Sequence, residues 1–196
     1  ADVEAARRWL GVSPEAKVVL YFGRLVERKG VHNAIRAMPA IRDRVPDARL
    51  VVAGTGPQLG RLRRLAEGLH VPAVFTGRVP QELAAGVYAA ADAFTLPVTD
   101  RWFGYEIEGL GVVLLEAAAA GTACVTGRSG GTPEAVVDGV TGFVVDAAAP
   151  SHLVRPITDL LTDEELASRM GEAGRRHVES VFTAPGALRP LLEWLG

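Results

Sequence analysis

Lysine is nearly missing from this chain: of 21 basic residues only Lys17 and Lys29 are lysines. Cysteine is scarcer still. A single Cys124 rules out an intramolecular disulfide, and no CxxC or Cys/His spacing of a zinc site accompanies it, so a reducing, cytoplasmic setting is the default expectation. Charge of one sign is also lacking. A formal net charge of -2 gives no broad electrostatic footprint for nucleic acid or an anionic membrane surface, so an anionic ligand would need a local site. The longest apolar stretch, "GLGVVLLEAAAAGTACV" from Gly109, is broken by Glu116 and by glycines, and a membrane span of roughly 20 residues does not fit it. The leading "ADVEAARRWLG" has neither the apolar segment nor the cleavage site of a signal peptide. His32, His70, His152 and His177 are scattered at spacings that match no metal site, and no Ser/His/Asp arrangement is evident.

What is there is a 48% hydrophobic, 196-residue chain, long enough for one sizeable domain and too short for two of ordinary size. Six short β-rich runs end in glycine, proline or aspartate: "KVVLYFG" (17–23), "ARLVVAG" (48–54), "AVFTG" (73–77), "AFTLP" (93–97), "ACVTG" (123–127) and "GFVVD" (142–146). They are nearly all apolar instead of alternating, as expected of strands covered on both faces. Helical patterns fill the intervals at about 29–45, 57–69, 80–91, 111–121 and 132–138, and two more follow at 150–162 and 163–181. The alternation predicts a Rossmann-like, doubly wound α/β fold with a six-stranded, mainly parallel sheet. The one long connection, 97–110, is a candidate for function.

Ligands of open parallel sheets lie beyond the carboxyl ends of the strands, so the βα turns there are the places to search. The first, "FGRLVERKG", ends its strand at Gly23, places Arg24 at the tip and Lys29 at the next helix start. Two cations five residues apart on such a turn can converge on a diphosphate beside helix amides. Four charges on a solvated loop are the alternative, and Arg28 reads as the bystander. In "VVAGTGPQLG" the Gly54 and Gly56 pair lacks the spacing of a dinucleotide fingerprint. "FTGRVP" exposes a Gly77–Arg78 backbone to a ligand or makes a simple turn. "GRSGGTPEAV" sets Ser129, Gly130 and Gly131 before Thr132, an expected N-cap, with Pro133 opening the helix.

"EIEGLGVVLLEAAAAG" poses the sharpest question. Gly109 and Gly111 leave backbone amides uncovered where a helix begins, which suits an anion. Glu116 falls one and a half turns in, among residues expected to pack on the sheet. Buried without partners it would cost several kcal/mol or be protonated. It lies either on a solvent face or turned into the cleft to accept from neutral hydroxyls such as a ribose diol. Glu108 lines the same cleft; Glu106 is read as solvated.

In order, "FGRLVERKG", "VVAGTGP", "FTGRV", "EGLGVVLLEAAAAG" and "SGGTPEAVVDGVTGFVVD" resemble the C-terminal, nucleotide-sugar-binding half of retaining GT-B glycosyltransferases of family 4, over residues 17–182. The Glu108/Glu116 spacing of E-x7-E and the GR…KG turn carry most of the likeness. It implies a diphosphate held by Arg24 and Lys29. Glu108, with Gly109 and the amides of Leu110 and Gly111, would contact donor sugar and phosphate. Glu116 would accept from ribose, and Gly23 and the Arg78 backbone would lie near the nucleotide. "EIEGLG" and "SGGTPE" look closest to phosphatidylinositol-mannoside mannosyltransferases, so the donor is expected to be GDP-mannose, with a UDP-hexose as the other option. No obligatory cofactor or metal is implied, nor a nucleic-acid partner. The acceptor, a lipid or glycan, would bind a missing N-terminal half, which could also bring the protein to a membrane. Residues 1–11 read as the end of an interdomain connection and 183–196 as a C-terminal helix region that departs from the family pattern. A sugar-nucleotide epimerase and a non-catalytic nucleotide-binding module are the competing readings.

Overall fold

The structure, a computed structural model, describes residues 2–100 and 105–183. The expected C-terminal helix region therefore lies, apart from Thr183, outside the described residues. The elements in chain order are α1 (Val3–Leu10), β1 (Lys17–Phe22), α2 (Val31–Arg42), β2 (Ala48–Ala53), α3 (Leu59–Gly68), β3 (Ala73–Gly77) and α4 (Gln81–Ala89). Then come β4 (Ala93–Leu96), α5 (Val112–Ala119), β5 (Cys124–Gly127), α6 (Thr132–Ala135), β6 (Gly142–Val145), α7 (Ser151–Thr162) and α8 (Glu164–His177).

The six strands form one sheet in the order β3-β2-β1-β4-β5-β6, every pair parallel. The apolar runs become this sheet because both of its faces are covered: Val18, Val19, Leu20 and Tyr21 of β1 and Phe94 of β4 are fully buried. The chain winds outward from β1 through β2 to β3, returns to β4 beside β1, and winds outward again on the other side. Right-handed crossovers in opposite directions put α2 and α3 on one face and α4, α5 and α6 on the other. The contacts agree: α2 packs on α3 and α7, and α4 on α1 and α5. The direction reverses between β1 and β4, which opens the crevice where such sheets take ligands.

Segment 3–10 is a helix docked by burial of Ala6 and Leu10, with Asp2 accepting from the Ala5 amide as its N-cap. Arg7 fastens it by donating to the carbonyls of Ala90, at 2.9 Å, and Ala16. On the other flank α8 crosses α5 closely. The crossing is possible because Gly171 and Gly174 face Gly121 and Ala118, and a methyl on Gly171 would overlap the Gly121 carbonyl group.

Candidate functional site

The carboxyl ends of β1, β4 and β5 carry three turns that interlock. After β1 the chain passes Gly23 and Arg24, makes a 3₁₀ turn at Glu27–Lys29 and enters α2. Tyr21, fully buried, donates its hydroxyl to the Arg24 carbonyl at 2.8 Å and so fixes the tip of this turn from beneath. Burial, and secondarily the Glu108 charge, raises the Tyr21 phenol above its ordinary pKa, so it remains a donor.

Lys29 points across to the connection after β4, where its Nζ lies 2.7 Å from Glu108 Oε2. The Arg28 guanidinium reaches the same oxygen at 2.5 Å and stands 3.7 Å from Glu106. The Glu108 side chain is only 8% exposed, and the two cations that flank it offset the cost of burying a carboxylate there. Arg28, expected to be a bystander, is thus a member of the cluster. Glu106, expected to be solvated, is drawn to its edge. Arg24 is exposed and has no ion-pair partner among the described residues.

The turn after β5 holds the Glu108 segment from the other side. The Glu108 amide donates to Ser129 Oγ at 2.9 Å, and the Gly131 amide to the Gly109 carbonyl at 2.6 Å. Gly130 permits this contact: at φ +50° it suits few other residues, and a Cβ there would run into the Glu108 carbonyl. Thr132 was expected to cap α6. It is instead the first residue of that helix, fully buried, accepting from the Ser129 amide at 3.2 Å and donating to the Gly127 carbonyl at 2.7 Å. Its hydroxyl braces the turn and does not cap the helix. With the segment pinned, Gly111 at φ +73° turns the chain into α5, and the amides of Leu110 and Gly111 have no hydrogen-bond acceptor among the described residues.

Of its two expected places, Glu116 takes the solvent face. It lies on the exposed side of α5, as does Val112 at 61% exposure; the sheet side is made by Leu114, Ala117 and Ala118. Its partner is Tyr88, near the end of α4, whose hydroxyl donates to Glu116 Oε2 at 2.6 Å. The two line a groove of about 720 Å³ between α4 and α5, together with Gln81, Ala84, Ala85 and Arg175 among others. Arg24, Lys29 and Glu108 are not among its lining residues. The site residues therefore fall into two groups: a cation–carboxylate cluster beside the Leu110 and Gly111 amides at the β1/β4 crevice, and Glu116 over the α4–α5 groove. Arg78 stands apart, exposed on the turn after β3, where the Gly77 carbonyl accepts from the Gly54 amide at 2.8 Å.

Residues 2–177 match the family model of the glycosyl transferases group 1. The chain belongs to that family. Among curated relatives it is 47% identical over 160 residues to the GDP-mannose-dependent alpha-(1-6)-phosphatidylinositol monomannoside mannosyltransferase of Mycolicibacterium smegmatis, covering 81% of this chain and 42% of the relative. The chain thus spans about half the length, or somewhat less, of the curated relatives it matches. Among solved structures, Anabaena HepE in complex with UDP and glucose superposes with a TM-score of 0.83 at 23% identity, over 99% of this chain and 52% of that one. The C-terminal domain of a glycosyl transferase group 1 family protein from Francisella tularensis superposes with a TM-score of 0.79 at 22% identity, over 93% of this chain and 94% of the other. This sheet order with its flanking helices is therefore that of GT-B glycosyltransferases. No helix of the described residues is long and apolar enough to cross a membrane.

Sequence reasoning missed Arg28 and Tyr88. For Arg28 the signal was present, a second cation beside Lys29, but i and i+1 side chains usually diverge. They converge here because both side chains are long enough to reach the same Glu108 oxygen from the short turn that carries them. Tyr88 had no local signal, since its role depends on how α4 packs on α5.

Proposed function

We propose that this chain is the donor-binding half of a retaining glycosyltransferase that transfers a hexose from a nucleotide-diphosphate sugar, with GDP-mannose as donor, to a lipid or glycan acceptor held by a second, N-terminal domain. The observation that carries the reading is the β1/β4 crevice, where Lys29 and Arg24 belong to one turn and the amides of Leu110 and Gly111, without an acceptor among the described residues, open the facing helix. Cations and helix-start amides on the two sides of one crevice are what a diphosphate requires. The mannosyltransferase names of the curated relatives support the choice of base and sugar.

In this reading Arg24 and Lys29 hold the diphosphate, Glu108 and the amides of Leu110 and Gly111 meet sugar and phosphate, and Glu116 accepts from the ribose. Gly23 and the Arg78 backbone border the nucleotide. As the bond from the sugar to the diphosphate breaks, the negative charge growing on the leaving group faces donors that are already in place, which lowers the barrier without reorganisation. Neither a metal nor another cofactor is needed for that step. Alone, the chain binds donor and transfers little or nothing, because the acceptor surface belongs to the other half.

Calorimetry with GDP, UDP and ADP, on the unaltered chain and on Lys29→Ala and Glu116→Ala, tests the proposal. GDP should bind most tightly, and each substitution should weaken it, Lys29→Ala about tenfold or more. Absence of nucleotide binding, or indifference to both substitutions, would overturn it.

A further inference from the structure

A ribose diol presents two donors at a fixed separation, so a carboxylate that accepts from it must be held in one orientation. Glu116 by itself is not so held: it is an exposed side chain on the solvent side of α5, and its free rotamers would have to be ordered when the nucleotide binds. What restrains it is Tyr88. The Tyr88 ring is 3% exposed, stacked on Phe22 with centroids 4.9 Å apart and tilted against Phe94 at 5.7 Å. Its own carbonyl accepts from Thr122 Oγ1 at 2.8 Å, which ties that end of α4 to the segment entering β5. The phenol is therefore a rigid donor, and its hydroxyl donates a hydrogen bond to Oε2 of Glu116 at 2.6 Å. Burial first, and then the Glu116 carboxylate, raise the phenol well above its ordinary pKa, so it keeps that proton. Phe22 is the last residue of β1, immediately before the turn that carries Gly23 and Arg24. One packed path, Phe22–Tyr88–Glu116, thus runs from the cation turn to the acid on α5.

We infer that Tyr88 is a positioning residue for donor binding: its hydroxyl fixes one oxygen of Glu116 so that the other is presented to the ribose hydroxyls at a set distance from the diphosphate turn. This rests on reading Glu116 as the ribose acceptor.

The test measures GDP and 2′,3′-dideoxy-GDP binding to the 196-residue chain by calorimetry, with a melting curve for each variant. Tyr88→Phe keeps the ring and its stacking and removes only the donor. It should weaken GDP about fivefold, the scale of one misdirected hydrogen bond to a charged group, and leave the dideoxy nucleotide within about twofold. In a Glu116→Ala background the same substitution should have no further effect on GDP. Phe22→Leu, which loosens the ring and retains the hydroxyl, should give a smaller loss, again confined to GDP, and keeps the inference testable if Tyr88→Phe folds poorly. Equal losses for both nucleotides would mean that Tyr88 only supports the fold, and unchanged GDP binding would mean that it does not act on Glu116; either result overturns the inference. If Glu116→Ala itself leaves GDP binding unchanged, the ribose role of Glu116 fails, and this inference fails with it. If Glu116→Ala weakens GDP and Tyr88→Phe does not, only the positioning role is lost.

Discussion

Replacing Glu108 by glutamine removes one negative charge from between two cations while keeping the side chain's volume. Lys29 and Arg28 lie 2.7 and 2.5 Å from its Oε2, and each attraction amounts to about 6 kcal/mol at the effective dielectric of a partly buried pair. Against this stands the desolvation of a side chain that is 8% exposed, which offsets several kcal/mol of the sum. The cations left behind are not sealed in. Their side chains are 13% and 23% exposed, so both can turn toward water and recover part of the loss. The net destabilisation should therefore be about 1–3 kcal/mol, below the 3–5 kcal/mol typical when a fully enclosed pair is broken. For a domain of this size that lowers the melting temperature by about 2–10 °C. Urea unfolding and thermal melts of Glu108→Gln measure it, with Glu4→Gln as control, because the Glu4–Arg8 pair is 88% and 70% exposed and its loss should leave no measurable shift. If Glu108→Gln costs no more than the control, the two cations do not depend on Glu108 and the cluster is incidental.

Gly171→Ala should destabilise by about 1–3 kcal/mol in urea unfolding, reversing the gain of up to about 1 kcal/mol that alanine usually brings to a helix interior, because the new methyl meets the Gly121 backbone. A stabilised variant would contradict the close crossing of α5 and α8. Thr132→Val leaves the Ser129 amide and the Gly127 carbonyl without their partner and should cost about 2–4 kcal/mol, while speeding hydrogen exchange at the Glu108 amide that Ser129 holds; unchanged exchange would sever the turn from the Glu108 segment. Alkaline stability should fall steeply. Burial pushes the Cys124 thiol from 9.0 up to about 12, and the Tyr21 and Tyr88 phenols are raised above 10.0, so from about pH 9 the folded state binds more protons than the unfolded one. The stability in question is full below pH 9 and is lost as pH rises, by about 1.4 kcal/mol per pH unit for each group titrating in the unfolded chain; a flat profile between pH 8.5 and 11 would refute the burial of all three.

The sheet was legible because its signal is local. A run such as "KVVLYFG" is apolar on both faces only if both faces are covered, and that fixed the parallel class before any strand was paired. The six-stranded, mainly parallel sheet expected from the sequence is the one observed, with every pair parallel. The pairing of Lys29 with Glu108 across the crevice was approached through turn position, since both residues fall beyond strand ends that adjoin in the sheet. Glu116 lies on the solvent face, one of its two expected places, and the apolar residues beside it in sequence are not its neighbours in space. On a helix, Val112 and Glu116, four apart, share the outward side, while Leu114, Ala117 and Ala118 face the sheet. Thr132 was misplaced by one position, the difference between a hydroxyl that caps a helix and one that ties down the preceding turn.

That tie has a consequence for where an anion can be held. The start of α5 owes its position less to the helix, which is eight residues long, than to the turn after β5, which lies some 20 residues later in the chain. Ser129 holds the Glu108 amide, Gly131 holds the Gly109 carbonyl, and Thr132 holds the turn itself against the end of β5. The opposite side is set by β1, through Tyr21 beneath Arg24 and through Lys29 on Glu108. The amides of Leu110 and Gly111 are thus suspended between two strand ends that flank β4, and neither loop alone would define them. A substitution at Ser129, Gly131 or Thr132 in the β5–α6 turn should therefore act on an anion in the crevice as directly as one in the turn after β1, although none of the three carries a charge.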